Sequence, residues 1–294
     1  MKLRHGQAVA LMVLVTAMWS VAGVVTRQLE AARSFEVTFW RSLFTLLSLL
    51  LILPLWQGRA VFARMPWRSR YFWLSGVCWN VMFTAFMVAL TLTAVANVLI
   101  TMALGPLITA LFTRVALRHP LPARTWGAIG VAGAGIAWMY GSQLSLGAQN
   151  FLLGSLVALC VPLAGAVQWT LVQKSHAEGL DLDLVPSVMV GAALSSVLTL
   201  PFALPLQASG HDIAWLALLG LFQLAIPCAL SVVCARVLKA PEVALLALLE
   251  IVFGILLAWL GAHEAPASSV LLGGTLVLGA LVLNEWLGWR NRRV

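Results

Sequence analysis

Glu250 is the residue of this sequence with the most chemical promise, because it lies near the middle of a long apolar segment. Residues 243–262 carry no other charged side chain. A carboxylate within lipid is costly, so we expect it to face a partner or a solvated path. As a coupling residue it would carry a proton; otherwise it would balance the amine of a bound solute. The structural alternatives are an ion pair with Arg41 or Arg236, or a position that reaches the outer interface.

Two further apolar segments carry regularly spaced polar side chains. Positions i, i+4, i+7 and i+11 share one face of a helix, and around residues 68–90 they are Asn80, Thr84, Met87 and Thr91. A second stripe, within residues 213–238, consists of Gln223, Pro227, Ser231 and Cys234. Matching stripes predict a polar path shared by two helices. The alternative is hydrogen bonding between helices, which contributes about 0.6 kcal/mol per pair on average.

Aromatic and amide side chains extend this candidate site. Trp19 and Trp79 lie in the middle of apolar segments, whereas most other tryptophans lie at segment ends, as interfacial anchors do. Their rings either pack the helices together or form an apolar wall for a substrate. The predicted substrate-binding residues are Trp19, Trp79, Asn80, Thr84, Met87, Asn97, Thr101, Gln168, Gln223 and Ser231.

Three prolines interrupt apolar segments, namely Pro106, Pro162 and Pro227. A proline inside a helix removes one backbone hydrogen bond and loosens the helix locally. Lipid cannot satisfy the freed carbonyl, which favours positions that face protein or water. We therefore predict hinges or cavity walls at these prolines, with a tolerated kink as the alternative.

Nothing in the sequence predicts a cofactor or a metal. The four cysteines lie inside apolar segments, and the five histidines lie in loops or at segment ends, without metal-ligand spacing. An intramembrane enzyme would need clustered nucleophiles, His/Asp pairs or metal ligands, so we expect no enzyme. The chain also shows no ATP-binding motif, and the net charge of +8 is distributed as a topology signal rather than as a nucleic-acid footprint.

These residues must be positioned by membrane helices. The chain is 62% hydrophobic and only 10% charged, whereas soluble proteins carry roughly a quarter of their residues as charges. About 20 apolar residues cross a bilayer core as a helix. We predict an all-α polytopic membrane protein whose ten spans are residues 7–27, 35–55, 68–90, 95–116, 123–142, 149–173, 184–204, 213–238, 243–262 and 267–288.

The basic residues orient these spans. With ten spans both termini lie on one side, and all of the 18 Lys and Arg residues fall on that side except Arg27, Arg33 and Arg41, which we assign to the first connection. Because cytoplasmic loops carry the Lys and Arg excess, we predict cytoplasmic termini in a bacterial-type inner membrane. The apolar run to about residue 25 shows no convincing cleavage site, so we expect an uncleaved first helix.

The two halves of the chain repeat weakly. Pro120 and Pro266, like Gly127 and Gly273, are 146 residues apart. We predict two five-helix repeats, residues 1–145 and 146–294. An odd number of spans inverts the second repeat, and inverted repeats are a transporter architecture with a central cavity near the midplane. Glycines in the fifth and tenth spans suit close packing, either within each repeat or in a homodimer.

The stretch from Leu248 to Phe253, followed by Ala258-Trp259, resembles the ninth-helix signature of EamA-type carriers of the drug/metabolite transporter superfamily, although Ile251 stands where that family commonly has proline. The stretch Leu104-Gly105-Pro106-Leu107 resembles the same element in the first repeat. Phe39-Trp40-Arg41 is also similar to the family pattern. The resemblance implies ten helices, with one to four and six to nine around a cavity. It is closest to aromatic amino acid exporters.

We therefore expect a transporter that exports small amphipathic metabolites, such as aromatic amino acids, by alternating access. The predicted cavity has few fixed positive charges, which disfavours phosphorylated substrates. A passive channel is the alternative that the sequence leaves open. The partners expected are a small-molecule substrate and the lipid bilayer, with a homodimer through the fifth and tenth helices, and no nucleic acid.

Overall fold

The computed structural model describes residues 3–32, 34–117, 123–144, 149–180, 182–262 and 265–290, which contain helices and no strand. The α-helices are α1 (His5–Ser20), α2 (Ala22–Thr26), α3 (Ser34–Gln57), α4 (Val61–Arg64), α5 (Arg70–Leu92), α6 (Val95–Met102), α7 (Gly105–Leu117), α8 (Ala123–Leu144), α9 (Gln149–Ala177), α10 (Ser187–Ala203), α11 (Gly210–Leu218), α12 (Ile226–Cys234), α13 (Ala240–Ala262) and α14 (Ser268–Arg290). A π-helical segment, π1 (Leu219–Ala225), joins α11 to α12.

Seven helical segments of the described chain are long and apolar enough to cross a membrane. They are His5–Thr26, Phe35–Gln57, Arg70–Leu92, Val95–Val115, Leu152–Ala177, Gly210–Cys234 and Glu242–Gly261. Shorter apolar helices cover Ser187–Ala203 and Leu271–Ala280. These findings support the predicted all-helical, polytopic membrane protein. The count of ten spans and the cytoplasmic termini stay predictions.

Two of the three prolines lie where a helix begins or changes from π-helical to α-helical structure. Pro106 is the second residue of α7, which follows a break at Ala103 and Leu104. Proline suits the first turn of a helix, because the backbone N–H groups of that turn have no partner within the helix. Pro227 cannot offer an N–H to the carbonyl of Gln223. The π-helical segment lies directly before it, where the N–H of Ile226 bonds to the carbonyl of Leu221. Pro162, by contrast, lies inside the unbroken α9.

The long helices pack into one bundle. Helix α5 contacts α9 and α10, α10 contacts α3, and α1 contacts α12 and α13. Helices α6 and α7 lie against α9 and α13, while α8 and α14 pack on each other. An ideal Cβ at Gly135 would lie 2.9 Å from the carbonyl oxygen of Gly273, so this glycine serves packing within the chain. The homodimer stays a prediction.

Candidate functional site

A cavity of about 120 Å³ lies among α1, α3, α5, α6, α7, α9, π1, α12 and α13. Its aromatic walls are Trp19, Trp79, Phe83, Phe86 and Trp169, and its sulfur-bearing walls are Met82, Met102 and Cys228. The polar lining consists of Arg41, Thr109, Gln223 and Glu250. The volume is below the roughly 300–1,000 Å³ typical of small-molecule sites. We therefore expect the walls to separate when a substrate enters.

Arg41 is the main departure from the sequence-based assignment. We placed it in the first connection, outside the membrane, but α3 begins at Ser34 and carries Arg41 two turns into the helix. The side chain is fully buried. Its Nη1 donates to Oε1 of Gln223 at 3.1 Å, and its Nη2 donates to the carbonyl of Phe83 at 2.9 Å. The guanidinium carbon lies 5.9 Å from the centre of the Phe86 ring.

Glu250 lies on α13 at the wall of the same cavity and is 7% exposed. Neither of the two arginines considered from the sequence pairs with it. Arg236 bonds to Asp183 instead, and Arg41 makes no ion pair with Glu250 within 4.0 Å. Within the part of the chain that the structure describes, the Glu250 carboxyl has no hydrogen-bond partner. A carboxyl and a guanidinium therefore border one cavity without neutralising each other.

Gln223 connects three elements of the site. It lies on π1, accepts from Arg41 on α3, and its Nε2 donates to the carbonyl of Trp19 on α1 at 3.4 Å. The π-helical turn sets the direction of this amide, since such turns shift the register of the side chains that follow. Gln223 therefore fixes the guanidinium relative to the first helix.

The tryptophans form a connected aromatic wall. The rings of Trp79 and Phe83 have centroids 5.6 Å apart, and Trp79 meets Trp169 edge to face at 5.9 Å. The indole N–H of Trp79 is buried and has no hydrogen-bond partner among the described residues. This wall therefore offers one unused donor beside a large apolar surface. Trp169, Phe83 and Phe86 were not predicted; their only sequence signal was aromatic character near a span's interior.

The polar stripe of the third span, Asn80, Thr84, Met87 and Thr91, does not line the cavity. Thr84 hydrogen-bonds to Ser195 of α10 at 2.9 Å and to Asn80 at 3.5 Å, and Met87 is buried in the apolar core. Thr84 of this stripe therefore bonds to α10, which corresponds to the alternative of hydrogen bonding between helices.

Five other predicted residues also lie away from the cavity lining. Oε1 of Gln168 accepts from Ser75 at 2.8 Å. Asn97, Thr101 and Ser231 bond to groups of their own chain segment, namely Thr93, the Asn97 carbonyl and the Cys228 carbonyl. Pro227 starts α12 outside the lining, whereas Pro106 and Pro162 are part of it. The substrate-binding roles of Gln168, Asn97, Thr101 and Ser231 and the hinge roles of the three prolines stay predictions.

Two buried carboxylates tie together backbone segments that are distant in the chain. Asp212, at the start of α11, accepts from the backbone N–H groups of Glu30, Ala31 and Ala32 at 2.8–2.9 Å. At the start of α3, Glu36 accepts from the N–H groups of Gln207 and Ala208 at 2.8 and 2.7 Å. Both were missed. The one signal for Asp212 is the spacing from Ser209, whose hydroxyl accepts from the Asp212 N–H as a helix cap.

The first half of the chain matches a known family. The model of the EamA-like transporter family matches residues 6–141. No curated protein matches the chain. Among solved structures, a crystal structure of a protein that is 20% identical covers 97% of this chain and 98% of its own, with a TM-score of 0.70. This likeness shows the same fold along nearly the whole chain. Residues 6–141 are therefore similar to a transporter family, in keeping with the apolar helices that are long enough to span a membrane.

Proposed function

We propose that this protein exports small amphipathic metabolites, aromatic amino acids foremost, by alternating access through the cavity beside Trp79. The observation that carries the proposal is the wall of five aromatic rings at the centre of the bundle. Ligand sites are mostly apolar concavities with a few placed polar groups. A cavity with this lining suits a planar apolar side chain better than a sugar or a phosphate.

The packing of the helices supports two inverted repeats, residues 1–145 and 146–294. Exchanging predicted spans one to five with spans six to ten turns a contact of the third span with the seventh into a contact of the eighth span with the second. The first of these is the contact of α5 with α10, the second is the contact of π1 with α3, and both occur. Each contact centres on a glycine. An ideal Cβ at Gly76 would lie 2.8 Å from Val190, and one at Gly220 would lie 2.6 Å from Phe44. These glycines are 144 residues apart, close to the offset of the predicted repeat.

Alternating access is favoured over a passive channel by the hydrogen bonds at one end of the bundle. The carboxylates of Asp212 and Glu36 bind the backbone of residues 30–32 and 207–208 there, so we infer that this end is the closed one. A carrier must open this end when the other end closes. The inner-membrane location and the cytoplasmic termini belong to this proposal, whereas proton coupling by Glu250 stays a prediction from the sequence.

Counterflow in proteoliposomes tests the function. Vesicles loaded with unlabelled L-phenylalanine should accumulate labelled L-phenylalanine transiently, because a carrier exchanges substrate across a single site. A channel would equilibrate the label without overshoot. Absence of any protein-dependent uptake of phenylalanine, tryptophan or leucine would refute the proposed substrate class.

Replacing Trp79 with alanine should weaken phenylalanine exchange, since it removes one of the three indole rings of the aromatic wall. Burial of such a side chain contributes about 1.5–3 kcal/mol, so we expect the KM to rise about tenfold or more. The measurement is the concentration dependence of counterflow. Trp73→Ala is the matched control, because Trp73 lies on the same helix but is 45% exposed and does not line the cavity. Equal KM values for the two variants would remove Trp79 from the site.

A further inference from the structure

We propose, resting on the proposed function, that Arg41 and Glu250 bind the two charged ends of one substrate: Arg41 takes a carboxylate and Glu250 takes an ammonium group. The substrate class is then zwitterionic α-amino acids with aromatic or other apolar side chains. Neither charge needs a protein partner in this arrangement, because the substrate supplies both.

Arg41 lacks an anion. A guanidinium has five N–H donors, and Arg41 uses one on each Nη, toward Gln223 and the Phe83 carbonyl. Its Nε is buried without a partner in the described chain. No carboxylate of the described residues lies within 4.0 Å of it. A buried charge without a counter-ion costs several kcal/mol, so this guanidinium is set up to receive an anionic group.

The two neutral acceptors hold the guanidinium without cancelling its charge. Gln223 and the Phe83 carbonyl fix its plane from separate elements, π1 and α5. The Nε–H and the second hydrogen of each Nη are left for a ligand. A carboxylate can accept two parallel N–H bonds from such an edge, which adds geometric specificity as well as affinity.

Glu250 is the complementary group. Its carboxyl lines the same cavity and has neither a cation nor a hydrogen-bond donor beside it in the part of the chain described. Cys228, Arg41 and Glu250 all line this one cavity. The two charges therefore border the same region of the wall. They make no ion pair within 4.0 Å, so a ligand that carries both charges can contact each of them.

The charge balance of the cavity selects among substrates. One fixed cation and one fixed anion together favour a ligand with no net charge but two charged ends. An organic acid would leave Glu250 uncompensated, and an amine would leave Arg41 uncompensated. The remaining lining is aromatic or aliphatic, apart from Thr109 and Gln223, so it suits an apolar side chain.

A series of analogues tests this on the unaltered protein. Phenethylamine lacks the carboxylate of phenylalanine, and 3-phenylpropionate lacks its ammonium group. Each should compete with labelled L-phenylalanine at least about tenfold more weakly than phenylalanine itself, because each leaves one buried charge unpaired. An analogue that competes as well as phenylalanine would overturn the pairing. If phenylalanine itself shows no counterflow, the proposed function fails instead.

Two variants show which residue binds the carboxylate and which binds the ammonium group of the substrate. Arg41→Lys should raise the KM for phenylalanine about tenfold while leaving competition by phenethylamine unchanged, since that analogue has no carboxylate to lose. Glu250→Gln should raise the KM for phenylalanine similarly and leave competition by 3-phenylpropionate unchanged. If the two residues have only a structural role, both variants should weaken the binding of all three ligands alike, and that result would overturn the assignment. If Arg41→Lys does not insert, the analogue series and Glu250→Gln still decide.

Glu242→Gln is the matched control. Glu242 lies two turns earlier on α13 and pairs with His5 at 2.7 Å, outside the cavity lining. This variant should transport all three ligands as the unaltered protein does. A Glu250→Gln variant that exchanges phenylalanine normally but loses its response to a pH gradient would assign this carboxyl to coupling and overturn its role as the ammonium site.

Discussion

Valine in place of Gly191 should abolish most of the folded protein. An ideal Cβ at this position would lie 2.3 Å from Cβ of Trp79, 2.9 Å from the carbonyl oxygen of Gly76 and 3.0 Å from the amide nitrogen of Asn80. These atoms belong to a backbone-to-backbone contact between α10 and α5, so no flexible side chain can move aside. Overpacking of this kind typically costs about 1–3 kcal/mol for a few methyl groups, and more where the backbone must shift.

The yield of monodisperse protein after extraction measures this effect. Gly191→Val should yield about a tenth of the unaltered protein or less, and Gly191→Ala an intermediate amount. The control is Gly127→Val on α8, where nothing lies within 4 Å of an ideal Cβ. Equal yields from the two valine variants would show that α5 and α10 do not approach as closely as described. Because Trp79 is the nearest side chain, any folded Gly191→Ala protein should also bind phenylalanine more weakly.

Much of the fold follows from hydropathy. Long apolar segments predicted the helices, since lipid leaves the backbone of a spanning segment no partner outside its own helix. Pro106 marked the point where a new helix begins, and Pro227 marked the end of the π-helical segment. Hydropathy does not specify which face of a helix meets which neighbour. The stripe of Asn80 and Thr84 has the correct period for one face, but that face meets Ser195 rather than the cavity.

The candidate site was only partly predictable for the same reason. Trp19, Trp79, Gln223 and Glu250 were chosen because large or polar groups in mid-span need a special environment, and the structure brings these four to one cavity. Arg41 was assigned to a loop because basic residues near span ends usually follow the topology rule. Its burial depends on acceptors from Gln223 and Phe83, 182 and 42 residues away in the chain, which no local pattern indicates.

The second large effect is expected at Asp212, and it bears directly on alternating access. Its two carboxylate oxygens hold the backbone of Glu30, Ala31 and Ala32, although the loop and Asp212 belong to opposite halves of the chain. Asparagine offers only one accepting oxygen, so Asp212→Asn must lose at least one of these bonds. Hydrogen bonds to charged groups contribute about 1.5–3 kcal/mol each. We expect the thermal midpoint of the purified protein to fall by about 5 °C.

Asp183→Asn is the control for this substitution. Asp183 pairs with Arg236 where both side chains are about one-third exposed, and such surface pairs contribute about 0–1 kcal/mol. Its thermal midpoint should therefore stay nearly unchanged. An equal fall in both variants would indicate that Asp212 contributes no more than an ordinary surface charge.

A thiol already present in the cavity can show whether the loss opens this end of the bundle. Cys228 is buried at the cavity wall, and only Cys160 of the other three cysteines is exposed. With Cys78, Cys160 and Cys234 replaced by serine or alanine, a water-soluble maleimide should reach Cys228 faster in Asp212→Asn, because the closed end loses part of its tie. Phenylalanine should slow that labelling, since the proposed substrate occupies the same space. Unchanged labelling together with a lowered thermal midpoint would make Asp212 a brace of the fold, and the gate would have to lie elsewhere on the path between the two halves.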